Sequence, residues 1–330
     1  MLRIIFYNFL FVILIIFSLE IFVRVLDLSQ TLGVDKKLIV MDESKFHFKY
    51  KKNSEGKVFG NLSIIDERGF RIPYKGYKYE KRKNILVLGD SVAFGNGVDE
   101  NITFVGKIRQ NLKNYNVHNF SLPGYQIKNH LINLEDFQEL LQAEKIIYFF
   151  TLNDINIDPN ISVSPNIKTT RTKEQYDDWV KDLRRIKIIA HLNNFLRKYS
   201  HLYLFIKGIA SDPSKRWFLD DLSMYSKKNV RALDELFSIL NTKISKNSVD
   251  FKVIILPYEY QTRKSNCNDN YLTPQTEVKN ILEKYDIKYR DYTNNFCEYK
   301  NPKTLFHQFD PMHLSEKGHQ FLYSLIKDEI

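Results

Sequence analysis

Cysteine and glycine are both scarce in this chain of 330 residues. The two cysteines, Cys267 and Cys297, are too far apart for a CxxC motif, which excludes that class of redox or zinc site. They would form a disulfide in an oxidising compartment and remain two separate thiols in a reducing one. Because the chain has only 12 glycines, each glycine at a predicted turn carries more information than usual.

The chain also lacks the marks of a nucleic-acid-binding protein, although its formal net charge is +10. It has no basic helix, no aromatic RNA-binding motif and no zinc-ligand spacing. We therefore expect no nucleic-acid partner and interpret the charge as a cationic surface near anionic lipid or glycan. The apolar share of 43% is large enough for a sizeable core, so the chain is not disordered.

One long apolar run is present, at the amino terminus. Residues 4–19, IIFYNFLFVILIIFSL, are almost wholly apolar, and with residues 20–26 they reach the roughly 20 residues that span a bilayer. No small-x-small cleavage site follows closely, so residues 1–26 are predicted to be an uncleaved transmembrane anchor rather than a signal peptide. Basic residues lie on both sides of the run, so the positive-inside rule does not determine its orientation.

The pattern of apolar runs divides the rest of the chain into two parts. Residues 27–83 are polar and turn-rich, and we interpret them as a linker and an N-terminal flap. From residue 84 onward strands and helices alternate, which predicts an α/β fold with helices on both faces of a parallel sheet. The predicted strands cover 84–88, 117–120, 145–152, 251–256 and 288–291.

Residues 155–226 interrupt this alternation. They begin with a loop rich in Pro and Asn, and two amphipathic helices are predicted near 173–190 and 192–209. We interpret the segment as a helical insertion beside the ligand-binding edge of the sheet. Its role is open between a lid that binds an acceptor and a packing element, and its apolar residues would also suit contact with a membrane.

The stretch around Ser91 combines a strand, a turn and a helix. Residues 84–88, NILVL, predict a buried strand of a parallel sheet, which Gly89-Asp90-Ser91 closes before a helix begins near Phe104. Ser91 is thereby placed at the carboxyl edge of the sheet, where open α/β sheets bind their ligands. A serine there becomes a useful nucleophile when a base lies beside it, although the same tripeptide also occurs as a plain turn.

A candidate base lies near the end of the chain. Asp310 and His313 are three residues apart, in a loop before a last helix that Ser315 would cap. A nearby carboxylate fixes the tautomer of an imidazole and stabilises its charged form. His307 and His319 are alternatives for the base, and His313 would also suit a role in capping the last helix.

Taken together, these short motifs resemble the SGNH/GDSL hydrolase family. The resemblance covers residues 84–330, with the helical insertion outside the common core. It implies a flavodoxin-like three-layer sandwich around a five-stranded parallel sheet. Four blocks carry it, in the expected order: Gly89-Asp90-Ser91 with Gly95 and Gly97, then Gly124, then Asn153-Asp154, then Asp310-Pro311-Met312-His313-Leu314.

The resemblance also implies roles for particular residues. Ser91 would be the nucleophile, His313 the general base and then acid, and Asp310 the residue that orients His313. The backbone N–H groups of Ser91 and Gly124, with the side-chain amide of Asn153, would form the oxyanion hole. No metal or organic cofactor is expected.

One position departs from the family pattern. Members often have glycine two residues before the asparagine of the third block, whereas this chain has Thr151. We expect the threonine to reshape the pocket near Asn153 without removing a catalytic group. Asp90 is interpreted as a structural residue that bonds within its own turn.

The resemblance predicts a serine esterase that removes an acyl group, acetyl above all, from a cell-envelope glycan or a lipid. An O-acyltransferase that uses the same residues is the first alternative, and a non-catalytic scaffold for envelope assembly is the second. An N-terminal span before this domain resembles membrane-anchored bacterial members, whose catalytic domain lies outside the cytoplasm. We therefore expect a single-pass membrane protein with a periplasmic or extracellular catalytic domain.

Overall fold

The computed structural model describes residues 2–26, 28–29, 33–42, 47–137, 142–155, 187–268 and 271–330. The first element, helix α1 (Leu2–Val25), has 24 residues and is about 36 Å long, enough to cross a hydrocarbon core of about 30 Å. It is the only helix among the described residues that is long and apolar enough to span a membrane, and most of its apolar side chains are exposed, Val23 being buried. The helix is compatible with a membrane anchor or a signal sequence.

A central, mostly parallel sheet confirms the predicted α/β class. Strands β1 (Ile39–Asp42) and β2 (His47–Tyr50) form a separate antiparallel pair. The central sheet has eight strands: β3 (Ser54–Val58), β4 (Asn61–Ile65), β5 (Arg71–Ile72), β6 (Lys83–Gly89), β7 (Tyr115–Asn119), β8 (Lys145–Phe150), β9 (Asp250–Ile255) and β10 (Lys288–Asp291).

The spatial order of the strands is β10-β9-β8-β6-β7-β5-β4-β3. The first five are parallel to one another, and the last three continue the sheet in antiparallel pairing. The prediction of a five-stranded sheet therefore does not cover β3, β4 and β5. These three strands come from the segment interpreted as a linker and flap, whose polar, alternating residues suit the edge of a sheet better than its centre.

Helices cover both faces of the parallel strands, as the alternation of strand and helix predicts. On β6, Leu86 and Leu88 pack into the cluster on one face, while Ile85 and Val87 pack into the cluster on the other. The helices after α1 are α2 (Ser91–Phe94), α3 (Phe104–Asn111), α4 (Ile127–Asp136), α5 (Lys187–Tyr199), α6 (His201–Ala210), α7 (Pro213–Ser223), α8 (Lys227–Ser245), α9 (Thr273–Lys284), α10 (Thr293–Glu298) and α11 (Glu316–Ile326). Helices α4, α8 and α9 contribute to the first cluster, and α3 and α11 to the second, which gives three layers.

Strand β5 joins the antiparallel extension to the turn that carries Ser91. The side chain of Arg71 is buried, and its guanidinium donates hydrogen bonds to three backbone carbonyls at the end of α2 and in the loop that follows it. The acceptors are Phe94 at 2.7 Å, Gly95 at 2.8 Å and Val98 at 2.7 Å. We call this set of bonds the Arg71 clamp. Burial lowers the pKa of Arg71 to about 10, so the clamp remains charged at neutral pH.

The helical insertion is described from residue 187 onward, and residues 173–186 of the first predicted helix lie outside the described residues. The helix predicted near 192–209 is two helices, α5 and α6, which meet at Ser200. The Ser200 hydroxyl accepts the backbone N–H of Tyr203 at 3.0 Å and so caps a new helix. Elsewhere, Cys267 and Cys297 are joined by a disulfide.

Candidate active site

Ser91 lies where β6 ends and α2 begins, at the carboxyl edge of the parallel strands. The carboxylate of Asp90 caps α2 by accepting the backbone N–H of Val92 at 2.8 Å. The short helix ends at Gly95, whose φ of +81° is a left-handed conformation that glycine adopts without strain. A side chain at Gly95 would also collide with Thr103, because its Cβ would lie 2.3 Å from Thr103 Cγ2. The turn around Ser91 is thus fixed from both ends.

The structure brings Ser91, His313 and Asp310 together. His313 Nε2 lies 2.8 Å from Ser91 Oγ, and His313 Nδ1 lies 2.8 and 2.9 Å from the two carboxylate oxygens of Asp310. Asp310 Oδ1 also accepts the backbone N–H groups of Met312 and His313, at 2.9 and 2.8 Å. With Nδ1–H directed at the carboxylate, Nε2 is the acceptor for the serine hydroxyl.

The charges in this cluster shift two pKa values in opposite directions. Burial disfavours the imidazolium of His313, but the charge and hydrogen bond of Asp310, with a smaller contribution from Asp90, outweigh it and raise the pKa of His313. Burial likewise favours the neutral acid at Asp310, yet the charge and hydrogen bonds of His313 lower the pKa of Asp310. The pair therefore stabilises a proton on the imidazole and a charge on the carboxylate.

The two alternative histidines lie elsewhere. His319 is buried in α11, where its Nδ1 accepts the backbone N–H of Phe104 at 3.3 Å and its ring stacks on Phe104. Burial lowers the pKa of His319 well below its ordinary value. The Nε2 of His307 lies 3.1 Å from the carbonyl oxygen of Asn96. Of the three histidines in this region, His313 is the one within hydrogen-bonding distance of Ser91.

A second cluster of polar groups lies on the other side of Ser91, between β6 and the end of β8. Asn153 Nδ2 donates to Asp90 Oδ2 at 3.2 Å. The hydroxyl of Thr151 lies 2.9 Å from Asp90 Oδ2 and 2.7 Å from Asn153 Oδ1, so its single hydrogen serves one of them at a time. Thr151 therefore links Asp90 and Asn153. Asp90 bonds beyond its own turn, which the sequence interpretation missed.

The three groups predicted to donate to the oxyanion differ in the hydrogen bonds that they already make. One hydrogen of the Asn153 amide is directed at Asp90, and an amide nitrogen carries a second. Among the described residues, neither the N–H of Ser91 nor that of Gly124 donates a hydrogen bond to another protein group. Gly124 follows β7 with a φ of +82°, a conformation that favours glycine.

A buried acid, Asp154, forms hydrogen bonds that hold the segment carrying Asn153. Asp154 accepts the hydroxyl of Tyr148 at 2.9 Å and the backbone N–H of Thr151 at 3.1 Å. Burial and the charge of Asp90 raise the pKa of Asp154 well above its ordinary value. The strong burial of an acid at this position has no signal in the sequence beyond its place after an apolar strand.

Phe59 is a second residue that sequence reasoning missed. It lies in the turn between β3 and β4, and its ring meets the imidazole of His313 edge to face, with 5.0 Å between ring centres. The amide of Asn61 donates to the carbonyl oxygen of Gly97 at 2.6 Å, which attaches the same hairpin to the loop after α2. No group of three or more His, Cys, Asp or Glu side chains suited to a metal ion is found in the described part of the chain.

Comparisons with known proteins were made against family models, curated sequences and solved structures. No protein-family model and no curated protein sequence matches the chain. Among solved structures, an acetyl xylan esterase aligns over 75% of this chain and 99% of its own, with 12% identity and a TM-score of 0.46. A lipase/acylhydrolase from Enterococcus faecalis aligns over 75% and 95%, with 16% identity and a TM-score of 0.44. A member of the lipolytic G-D-S-L family from Veillonella parvula aligns over 74% and 97%, with 14% identity and a TM-score of 0.41.

Proposed function

We propose that this protein is a serine esterase of the SGNH/GDSL type, which hydrolyses an acyl ester through an acyl-enzyme on Ser91. The observation that carries the proposal is the unbroken chain of hydrogen bonds from Asp310 through His313 to Ser91. A hydroxyl, an imidazole and a carboxylate in this order form the arrangement that activates a serine for nucleophilic attack.

The first half of the reaction forms the acyl-enzyme. Ser91 Oγ attacks the carbonyl carbon of the ester while its proton passes to His313 Nε2, and Asp310 stabilises the resulting imidazolium. The tetrahedral intermediate collapses when the bond to the ester oxygen breaks, and His313 Nε2 returns the proton to the departing alcohol. The raised pKa of His313 favours the imidazolium that forms between these two proton transfers.

Water completes the cycle. It gives a proton to His313 and attacks the acyl carbon, and the proton returns to Ser91 Oγ as the carboxylic acid leaves. In both halves of the reaction the carbonyl oxygen becomes negatively charged. We assign the stabilisation of this charge to the N–H groups of Ser91 and Gly124 and to the second amide hydrogen of Asn153. Donors placed for a developing charge lower the barrier because they need no reorganisation during the reaction.

The substrate class and location follow from features outside the triad. The apolar helix α1 and the disulfide between Cys267 and Cys297 both suit a chain anchored at residues 1–26, with its catalytic domain in an oxidising compartment outside the cytoplasm. We assign to the catalytic domain residues 84–330 together with strands β3, β4 and β5. An acyl ester, above all an acetyl ester, on an envelope glycan or lipid is the substrate proposed for that location.

The direct test is to replace Ser91 and to trap it. Ser91→Ala should lower turnover of a chromogenic acetate ester by about 10⁶-fold and abolish labelling by a fluorophosphonate. Ser238→Ala, which changes a serine on α8 outside the site, should retain both. Undiminished turnover in Ser91→Ala would refute the proposal. Faster transfer of the acyl group to a sugar hydroxyl than to water would instead indicate an acyltransferase.

A further inference from the structure

Helix α5 has an apolar face that is largely exposed. Ile188, Leu192, Phe195 and Tyr199 recur at helical spacing along that face, with 77%, 57%, 60% and 50% of each residue accessible. The rest of the helix carries polar and basic residues, among them Asn194, Arg197 and Lys198, and Lys198 pairs with Asp35 at 3.9 Å. A helix with one apolar and one polar face suits the boundary between water and lipid.

Helix α6 continues the exposed apolar surface. Its sequence, HLYLFIKGIA, is apolar on most sides. Ile206 and Ile209, one turn apart, are 57% and 65% exposed. Single exposed apolar residues are ordinary, but six large ones on two consecutive helices form a patch that requires an explanation. We call these six residues the apolar patch.

The corner between α5 and α6 is fastened to the end of α1. The carboxylate of Glu20, one turn before the end of α1, accepts the hydroxyl of Ser200 at 2.8 Å and the N–H groups of His201 and Leu202 at 2.9 and 3.0 Å. Arg24 pairs with Glu20 at 2.7 Å and donates to the carbonyl of Tyr199. These charged and polar groups mark the end of the apolar run of α1, where a spanning helix leaves the hydrocarbon.

We propose that the apolar patch is a second membrane contact, which lies in the interface of the bilayer that α1 crosses. The occupant is lipid, because the patch is attached to the point where α1 emerges from the hydrocarbon. The proposal rests on the membrane anchor proposed above and not on the chemistry at Ser91.

The contact would reach the loop that carries Asp310. Gly208 of α6 packs so closely on Phe309 that a Cβ at Gly208 would lie 2.2 Å from the ring. The hydroxyl of Ser214, just inside α7, donates to the carbonyl oxygen of Asp310 at 3.1 Å. The loop therefore lies about one helix diameter, roughly 10–12 Å, from the proposed lipid contact. Seating the patch in lipid would hold this loop at a set height near the bilayer surface.

The test measures the surroundings of a fluorescent label on the full chain in vesicles of phosphatidylcholine and phosphatidylglycerol. Leu192→Cys and Ile206→Cys supply thiols in the patch, and Ile239→Cys, on an equally exposed apolar residue of α8, is the matched control. The native cysteines are bonded to each other, so the label reacts at the introduced thiol. One quencher is aqueous iodide, and the other is a nitroxide carried on the lipid near the head group.

Lipid contact predicts that labels at positions 192 and 206 resist iodide about fivefold better than the label at 239 and are quenched by the lipid nitroxide. Quenching by iodide at all three positions would overturn the proposal, as would protection from both quenchers, which would mean that another part of this chain covers the patch. Protection lost on dilution to a single chain per vesicle would indicate a second copy and would also overturn it.

A paired substitution separates the patch from the anchor. Leu192→Glu combined with Phe195→Glu should leave the chain bound to vesicles through α1, yet make a label at 206 accessible to iodide. Ile239→Glu should not change that label. If the double variant leaves the label at 206 protected, the helices are not held by lipid contact and the proposal fails.

Discussion

Two regions depart in opposite ways from the rule that polar groups are exposed and apolar groups are buried. They are the carboxyl edge of the parallel sheet and the pair of helices α5 and α6. At the sheet edge, polar groups such as Asp90 and Asp310 are buried, and each is bonded to other groups of the site. On α5 and α6, large apolar groups such as Phe195 are exposed. Buried polar groups and exposed apolar patches are both costly, so each marks a region shaped by something other than stability.

Among the substitutions that test this comparison, the largest effect on activity is expected at Asp310. Asp310→Asn keeps the shape of the side chain but removes the charge that stabilises the imidazolium, and we expect kcat to fall about 10⁴-fold. Retention of more than a tenth of the activity would show that the buried carboxylate is structural only. Ser238→Ala serves again as the control.

The same variant should change the dependence of activity on pH. The reaction requires neutral His313, whose pKa is raised in the folded protein, so activity should be lost as pH falls through a value above about 6.5, the ordinary value for histidine. In Asp310→Asn, the residual kcat/KM should be lost at a lower pH, because only the smaller effect of Asp90 then opposes burial in setting the pKa of His313. An acid limb that does not move would contradict the assignment of His313 as the base.

A smaller loss is expected at Asn153. Asn153→Ala removes one proposed donor to the oxyanion and should lower kcat about 10²- to 10³-fold with little change in KM. Thr151→Ser retains the hydroxyl between Asp90 and Asn153 and should stay within a few-fold of the original enzyme. If Asn153→Ala changes KM alone, the amide binds the substrate without stabilising the transition state.

Phe59 should contribute less still. Phe59→Leu keeps an apolar side chain but removes the edge-to-face contact with His313, which is worth about 0.5–1.5 kcal/mol. We expect kcat/KM to fall about 3- to 10-fold without loss of the fold. Phe59→Tyr retains the ring and should restore most of the activity, whereas equal losses in both variants would indicate a steric role.

The smallest effect on stability is expected at the apolar patch. Leu192→Ser should change the free energy of unfolding by no more than about 0.5 kcal/mol, because the side chain is exposed. Phe237→Ala, in the buried core, should lose about 3–5 kcal/mol. Denaturant titration in detergent micelles measures both. A loss above 2 kcal/mol at position 192 would show that the side chain is packed against protein.

The central parallel strands β6, β8 and β9 can be predicted because each contains a short apolar run that is buried, whereas β10 is polar and at most half-buried. The candidate site can be predicted in part, because Ser91 and His313 lie at places where strands and helices meet and their residue types suit one chemistry. Ser91 and His313 are more than two hundred residues apart, and the order of the strands in the sheet brings them together. Alternation of strand and helix limits that order to a few topologies.

Other features depend on contacts that no local pattern encodes. Strands β3, β4 and β5 are polar and short, and their turn at Phe59 and Gly60 has two positive φ values, 49° and 83°, without the usual Asn-Gly pair. The alternation of exposed and buried residues along β3 was a usable signal that the polar composition obscured. The contact of Phe59 with His313 and the bond of Glu20 to α6 join distant segments, so only the folded chain reveals them.

The Arg71 clamp sets a limit on how much of the chain can be removed. A shortened protein that begins at residue 84 would leave the carbonyls of Phe94, Gly95 and Val98 without their buried donor, at a cost of about 1–3 kcal/mol each. It would also remove the pairing of Arg71 in β5 with Asn119 in β7 and leave β7 as the edge of the sheet, which invites aggregation. A soluble form for crystallisation should therefore begin between the end of α1 and residue 33. This is well before residue 84, where the alternation of strands and helices begins.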